Sequence, residues 1–267
     1  MNFATNILLA SVTLSTLLLP QLTACAAEKN YTIQTEPHAN MEFVWVEGGC
    51  FQMGCGNWTD DCEEDEEPLH EVCLEGFWIG RYEVTQEQWT KVQGGNPSYF
   101  KKGGNYPVEN ITWYDAQDFI TKLNAISPEY QFTLPTEAQW EYAARTRGRR
   151  EKYSGSRKEE KVAWYGKNSG YATHPVGTQK ATKLGIHDMS GNVWEWCQDG
   201  YDEKFYEKSE VENPLGPQDA ETRVIRGGSH GSFAKDIRTS NRNNRDPEKT
   251  HGGLGVRLIG RLPENGS

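Results

Sequence analysis

Paired histidines, late cysteines, surplus basic charge and long apolar runs are all scarce in this 267-residue chain, and each shortage narrows the functions open to it. The six histidines, at positions 38, 70, 174, 187, 230 and 251, include no pair at i, i+3 or i, i+4, the spacing with which one helix face grips a metal. No cysteine follows Cys197, so the C-terminal region has no thiolate to serve as nucleophile or soft metal ligand. Lys and Arg number 28 against 38 Asp and Glu. The resulting net charge of −10 argues against nucleic acid as a partner, because phosphate binding needs a basic face. One apolar run, Ile7 to Leu19, has signal-peptide length and is too short to span a bilayer comfortably.

That run is followed by Leu22-Thr23-Ala24-Cys25, a small-residue cleavage site ending in cysteine. Residues 1–24 therefore read as a bacterial lipoprotein signal, with Cys25 as the acylated mature N-terminus, although Met1 to Asn6 lacks the usual basic residues. An ordinary secretory peptide is the alternative. Acylation would place the protein at the outer membrane or cell surface, anchored to the membrane without spanning it. Residues 25–40 read as a polar linker, and residues 41–262 as one domain, since no shift of composition divides them.

Export puts the remaining cysteines in an oxidising compartment. Cys50, Cys55, Cys62 and Cys73 cluster, so two disulfides are expected among them, in any of three pairings. The C-x-x-C spacing of a zinc knuckle is missing. Cys197 is left over and reads as a buried free thiol beside Trp194 and Trp196, both core residues. Between the first cysteines lies Asp60 to Glu67, D-D-C-E-E-D-E-E, a solvated loop on the plain reading and a hard-cation site on the other.

Local patterns then place the elements. Phe43-Val44-Trp45-Val46 and Phe51-Gln52-Met53 flank Glu47-Gly48-Gly49 and predict a hairpin. Val72 to Val84 predicts one or two strands. Thr85 with Gln88, Thr112 with Asp115 and Thr136 with Gln139 are three capping boxes, each the start of a helix. On the second helix Ala116, Phe119, Ile120, Leu123 and Ile126 share one face, and Ser127-Pro128 ends it. From the basic Arg145 to Lys152 stretch to Pro217 the chain is rich in Gly, Asn and aromatics with little periodicity, more loop than a domain holds without metals, tryptophans or function.

The segment Arg226 to Pro247 is polar and irregular, with Phe233, Ala234 and Ile237 as its few apolar side chains, so a rigid scaffold must order it. Loops held in this way carry binding or catalysis. Ser229, His230 and Asp236 are close in sequence, but adjacency is not the geometry of a hydrolytic triad.

F-V-W-V-E-G-G-C-F-Q-M-G, P-L-H-E-V, F-W-I-G-R-Y-E-V-T-Q-E-Q-W, Y-P-V-E-N-I-T-W-Y-D-A, L-P-T-E-A-Q-W-E-Y-A-A-R, G-I-H-D-M-S-G-N-V-W-E-W and R-G-G-S occur in order from about Phe43 to Ile259. Together they resemble the formylglycine-generating enzyme, or sulfatase-modifying factor, family. The resemblance implies an α+β fold, a loop-rich variant of the C-type lectin fold with little regular secondary structure. It also implies a structural calcium ion held by Asp188, Glu195 and the carbonyls of Gly191 and Val193, a donor set of hard oxygens. A second calcium site of the family is altered, with Gly177 at an expected acidic position.

The same resemblance bears on chemistry. The family's oxidases use two cysteines after R-G-G-S and copper; here Ser232 and Ile237 stand at those positions, and neither offers a soft ligand, so copper is not expected. A branch with histidine-held iron draws its histidines from a separate helical domain, and none is read here. Catalysis is therefore the weaker expectation. The chain also resembles the variable lipoproteins of diversity-generating retroelements, in which a C-terminal segment of about residues 226–259 displays a ligand-binding surface. That likeness implies a ligand face of His230, Gly231, Ser232, Phe233, Lys235, Asp236, Ser240, Asn241, Asn243 and Asn244, with Phe233 as anchor. It also makes Arg238, Arg242 and Arg257 scaffold residues paired with the acidic body. The expected partner is a protein or glycan on another cell or surface.

Overall fold

Three threonines start the three α-helices found among the described residues. Thr85, Thr112 and Thr136 each accept from the backbone N–H three residues on, while the side chains of Gln88, Asp115 and Gln139 reach back to the cap amides. The computed structural model describes residues 31–263, together with Met1. The expected signal peptide (1–24), the lipidation site Cys25 and the first residues of the expected linker lie outside the described residues.

Helix α1 (Gln86–Gln93) closes at Gly94, whose φ of +80° is the left-handed conformation of a helix C-cap. Helix α2 (Trp113–Ile126) buries Ala116, Phe119, Ile120 and Leu123 as its spacing predicts, whereas Ile126, in the last turn, is exposed. Helix α3 (Glu137–Ala144) is buried on nearly every side.

The strands, numbered in chain order, are β1 (Ile33–Glu36), β2 (Met41–Val46), β3 (Gly49–Met53), β4 (His70–Leu74), β5 (Phe77–Gly80), β6 (Gln131–Thr133), β7 (Trp194–Gly200), β8 (Arg223–Arg226), β9 (Arg242–Arg245), β10 (Leu254–Gly255) and β11 (Ile259–Arg261). They form a five-stranded sheet in the order β1-β2-β5-β11-β6, a four-stranded sheet β10-β7-β8-β9 and the pair β3-β4.

Two expectations change here. The predicted hairpin between β2 and β3 does not form: β2 pairs with β1 and β5, and β3 pairs with β4. Glu47-Gly48 passes the chain between sheets, and Gly48 lies so close to Leu74 and Gly76 that a Cβ would stand 2.5 Å from the Leu74 carbonyl oxygen. The expected linker is also partly structured, because Ile33–Glu36 is the edge strand β1.

The apolar residues gather into three clusters. One joins the five-stranded sheet to α1 and α2 through Phe43, Trp89, Phe119, Leu123, Phe132 and Trp196, with Trp89 stacked on Phe119 at 4.7 Å between ring centroids. Burying a side chain such as Phe119 contributes about 1.5–3 kcal/mol. A second holds Val44, Val72, Ile79, Trp140, Tyr142, Cys197 and Val224. The third, smaller one is Tyr153, Val162, Ala163, Tyr165 and Ile237, beneath the C-terminal segment.

Disulfides Cys50–Cys73 and Cys55–Cys62 select one of the three pairings, and Cys197 is free and buried. Cys50 faces Cys73 directly across β3 and β4. Long stretches without regular structure, such as residues 162–193, leave a loop-rich α+β domain of the lectin-like type.

Candidate functional site

The C-terminal segment leaves β8 through Gly227 and Gly228, whose φ values of +95° and +74° suit glycine alone. Space forbids a side chain as well, since a Cβ on Gly228 would stand 2.5 Å from Ile237. The chain then loops out, returns along β9 and ends against β7 through β10.

Four arginines hold this excursion, and none of their side chains is more than marginally exposed. Arg226 bridges Glu137 and Glu141 of α3 at 2.7 Å each and donates to the Thr239 carbonyl. Arg242 grips Glu137 with two nitrogens, at 2.7 and 2.9 Å, and donates to the Asp65 carbonyl. Arg238 pairs with both oxygens of Glu66, and Arg257 with Glu195. Arg238, Arg242 and Arg257 are thus the scaffold cations read from the sequence, and Arg226 joins them.

The electrostatics follow from burial and pairing. Burial alone would push the Glu137 carboxyl up, but the Arg242 and Arg226 guanidiniums beside it outweigh that and hold it below its ordinary value. Asp65 goes the other way: burial pushes it up, against the Tyr201 hydroxyl that donates to it at 2.8 Å. The acidic run is therefore no uniformly solvated loop. Glu66 is fully buried and Asp65 nearly so, because arginines from the far end of the chain come to meet them. Three buried carboxylate partners (Glu66, Glu137, Glu141) escaped the sequence reading as site residues, and Glu195, read as a calcium ligand, is here the partner of Arg257.

Of the ten expected ligand-face residues, Gly231, Phe233, Lys235 and Asn243 are exposed, and Ser232, Asp236 and Asn244 are half-buried. Phe233 is 76% exposed and touches no core cluster. Lys235 reaches Glu63 at 3.1 Å, and Asp236 accepts from the Phe233 amide at 2.9 Å.

Ser240 and Asn241 turn inward instead. Ser240 accepts from Arg238 at 3.2 Å and so serves the arginine network, while Asn241, also buried, donates weakly to Glu63. His230 is 8% exposed, packed edge-on to Phe100 and bonded to the Gly252 carbonyl at 3.1 Å. Ser232 accepts from the Ser229 amide at 3.0 Å, and Ile237 is fully buried. Asn243 and Asn244 share a recess of about 290 Å³ with Glu63, Glu64, Tyr201 and Glu203.

Of the residues expected to hold calcium, Asp188 and Glu195 both have partners within the protein. Glu195 accepts from Arg257 at 2.7 Å and from the Trp140 indole at 2.7 Å, so the guanidinium stands as its counter-charge. Asp188 accepts from the Gly177 amide at 2.6 Å, and the Val193 amide donates to Glu83 at 3.1 Å. Among the described residues no three His, Cys, Asp or Glu side chains converge on a metal position.

A loop-rich lectin-like scaffold that presents an irregular C-terminal segment on buried ion pairs defines the class of protein. Residues 29–262 match the Sulfatase-modifying factor enzyme 1-like domain, and the chain belongs to that family. It is 36% identical to the chaperone protein LppX of Paenibacillus barcinonensis over 228 residues, 66% of this chain and 75% of that protein. It is 31% identical to the formylglycine-generating enzyme of Streptomyces coelicolor over 199 residues, covering 68% of this chain and 60% of that enzyme. In three dimensions it is similar to Treponema denticola variable protein 1, with 30% identity, a TM-score of 0.76, and coverage of 85% of this chain and 98% of the other.

Proposed function

We propose that this protein is a surface-displayed lipoprotein that binds a ligand through its C-terminal segment, and that it is not an oxidase of the formylglycine-generating kind. One observation carries the reading. Arg226, Arg238 and Arg242 anchor the segment through buried ion pairs, while Gly231, Phe233, Lys235 and Asn243 face water and contribute little to the core. Side chains so separated from the fold are free to be set by what they bind. Likeness to a variable protein supports the same reading. An exposed aromatic at Phe233 and an acidic recess at Asn243 and Asn244 favour a protein ligand with an apolar contact and a positive charge. Acylation at Cys25 would hold this surface at the outer membrane or cell surface.

Panning the mature protein against a random-peptide phage library tests the surface. Clones selected on the wild type are expected to lose at least tenfold in affinity for a Phe233→Ala/Lys235→Ala/Asn243→Ala variant of unchanged stability. Equal binding to both proteins would place the site elsewhere. For anchoring, Cys25→Ser should move the protein from the membrane to the soluble fraction.

Family membership favours the enzymatic reading as the second one. Incubation with a Cys-x-Pro-x-Arg peptide, copper and oxygen is expected to yield no aldehyde. Aldehyde formation would overturn the proposal.

A further inference from the structure

The three most exposed aromatic side chains among the described residues are Phe233, at 76%, Tyr99, at 75%, and Tyr171, at 70%. They come from three separate stretches of chain, yet each leads to the loop from His230 to Phe233. The Tyr99 ring packs edge-on to Phe100 at 4.9 Å between centroids, and Phe100 packs in the same way on His230 at 5.0 Å. Tyr171 donates its amide to the Ser169 hydroxyl at 3.0 Å, and that hydroxyl donates to the His230 carbonyl at 2.5 Å. Phe233 follows Ser232, whose carbonyl accepts from the Gly166 amide at 3.0 Å. We propose that Tyr99 and Tyr171 extend the ligand surface beyond the C-terminal segment, and that on this side the surface takes an acidic peptide segment of a protein partner. The inference rests on the binding function proposed above and names what that binding recognises here.

Single exposed apolar side chains are ordinary on a protein surface, whereas convergence of the most exposed ones on one loop marks an interaction site. Tyrosine suits that role, because it offers a large amphipathic face and has only two side-chain torsions to freeze on binding. Both tyrosines sit on loops that the fold ties down. Ser98, buried beside Tyr99, accepts from the Glu109 amide at 3.2 Å, and the buried Ser169 holds the Tyr171 loop to His230.

Charge decides the class of partner. Lys101, Lys102 and Lys167 are exposed beside these residues, and none has a carboxylate partner among the described residues; Lys102 lies over the Phe100 ring, 5.8 Å from its centroid. The carboxylate that Lys101 does feel, Glu109, is buried and its carboxyl is pushed up to about 7. Burial pushes the His230 imidazole down, against the Gly252 carbonyl, and the other groups that act on it, His251, His174 and Lys102, are bases that push the same way. A protein of net charge −10 thus keeps a basic patch at this place. The C-terminal segment meets base on its His230 side and acid in the Asn243–Asn244 recess, and two opposite signs fix which way round a ligand lies. Rings this exposed are matched by apolar side chains, which a polyanionic glycan lacks.

Peptides selected from a random phage library on the mature wild type test the assignment. A family rich in Asp and Glu is expected. Its members should weaken with added salt and should bind about tenfold or more weakly to Tyr99→Ala/Tyr171→Ala and to Lys101→Glu/Lys102→Glu/Lys167→Glu. All five residues are exposed, so these variants keep the core intact. Loss of binding in the Phe233→Ala/Lys235→Ala/Asn243→Ala variant, with full binding to the tyrosine and lysine variants, would keep the binding function and overturn this extension of it. Equal binding to all three variants and the wild type would overturn both. Selection of no acidic family overturns the proposal, and heparin bound in place of acidic peptides would assign the lysines to a polyanionic glycan and overturn it as well.

Discussion

Arg238 and Glu66, 172 positions apart in the chain, meet as a two-pronged ion pair with neither side chain exposed to water. The pair ties the C-terminal segment to the disulfide-closed acidic loop. Removing one partner of such a pair strands the other charge in the interior, at a cost of about 3–5 kcal/mol. Arg238→Ala should therefore lower the unfolding free energy in urea by about that amount. Arg238→Met with Glu66→Met, which removes both charges, should recover a large part of the loss. A double variant no more stable than the single one would show that the pair is not the source of the effect.

The two disulfides should differ in worth because they close loops of different length. Cys50–Cys73 spans 23 positions and Cys55–Cys62 spans 7. Loop entropy then gives about 3.4 kcal/mol for the first and about 2.4 kcal/mol for the second. Paired Cys→Ser variants measured by denaturant unfolding check the order. The shorter loop carries Glu66's neighbours, so its loss should also weaken peptide binding at the C-terminal segment.

Glu109 provides a pH dependence with a definite sign. Burial pushes its carboxyl up to about 7, against the backbone N–H groups of Phe100 and Tyr99 that favour the charge, and one of its oxygens is buried without a partner. The unfolded chain releases this proton near pH 4.3. Between about pH 4 and 7 the native state holds a proton the unfolded state lacks, so stability falls as pH rises through that window and the cost is complete above it. Glu109→Gln should flatten the decline of Tm between pH 5 and 8 and raise Tm at pH 8. An unchanged slope would show that Glu109 is ionised in the fold throughout.

Calcium offers a direct check of the turn that links Asp188 to Glu195. With Arg257 standing as the counter-charge to Glu195, chelation by EGTA is expected to leave Tm unchanged. A fall of several degrees on chelation, restored by calcium, would put the ion at Asp188 and Glu195 after all.

Much of the fold was legible because its signals are local. A capping box depends on a hydroxyl and an acceptor three residues apart, and all three predicted boxes form. Residues four or fewer apart on α2 report its buried face in the same way, apart from Ile126 at its last position. The hairpin failed for the opposite reason. Two strand-like runs around glycines look alike whether they pair with each other or with distant strands, and here Cys50 finds Cys73 rather than β2.

The sequence by itself determined the family, the helix starts, the low content of regular structure and the cations that serve as scaffold. Only the tertiary structure decided which polar residues face outward. His230, Ser240 and Asn241 turn in, while Gly231, Phe233, Lys235 and Asn243 turn out, although composition makes no distinction among them. The reason is that burial of a polar side chain depends on the partner it finds. For Arg238 and Arg242 those partners lie on the acidic loop and on α3, beyond any window of local sequence, and Ser240 turns in with Arg238.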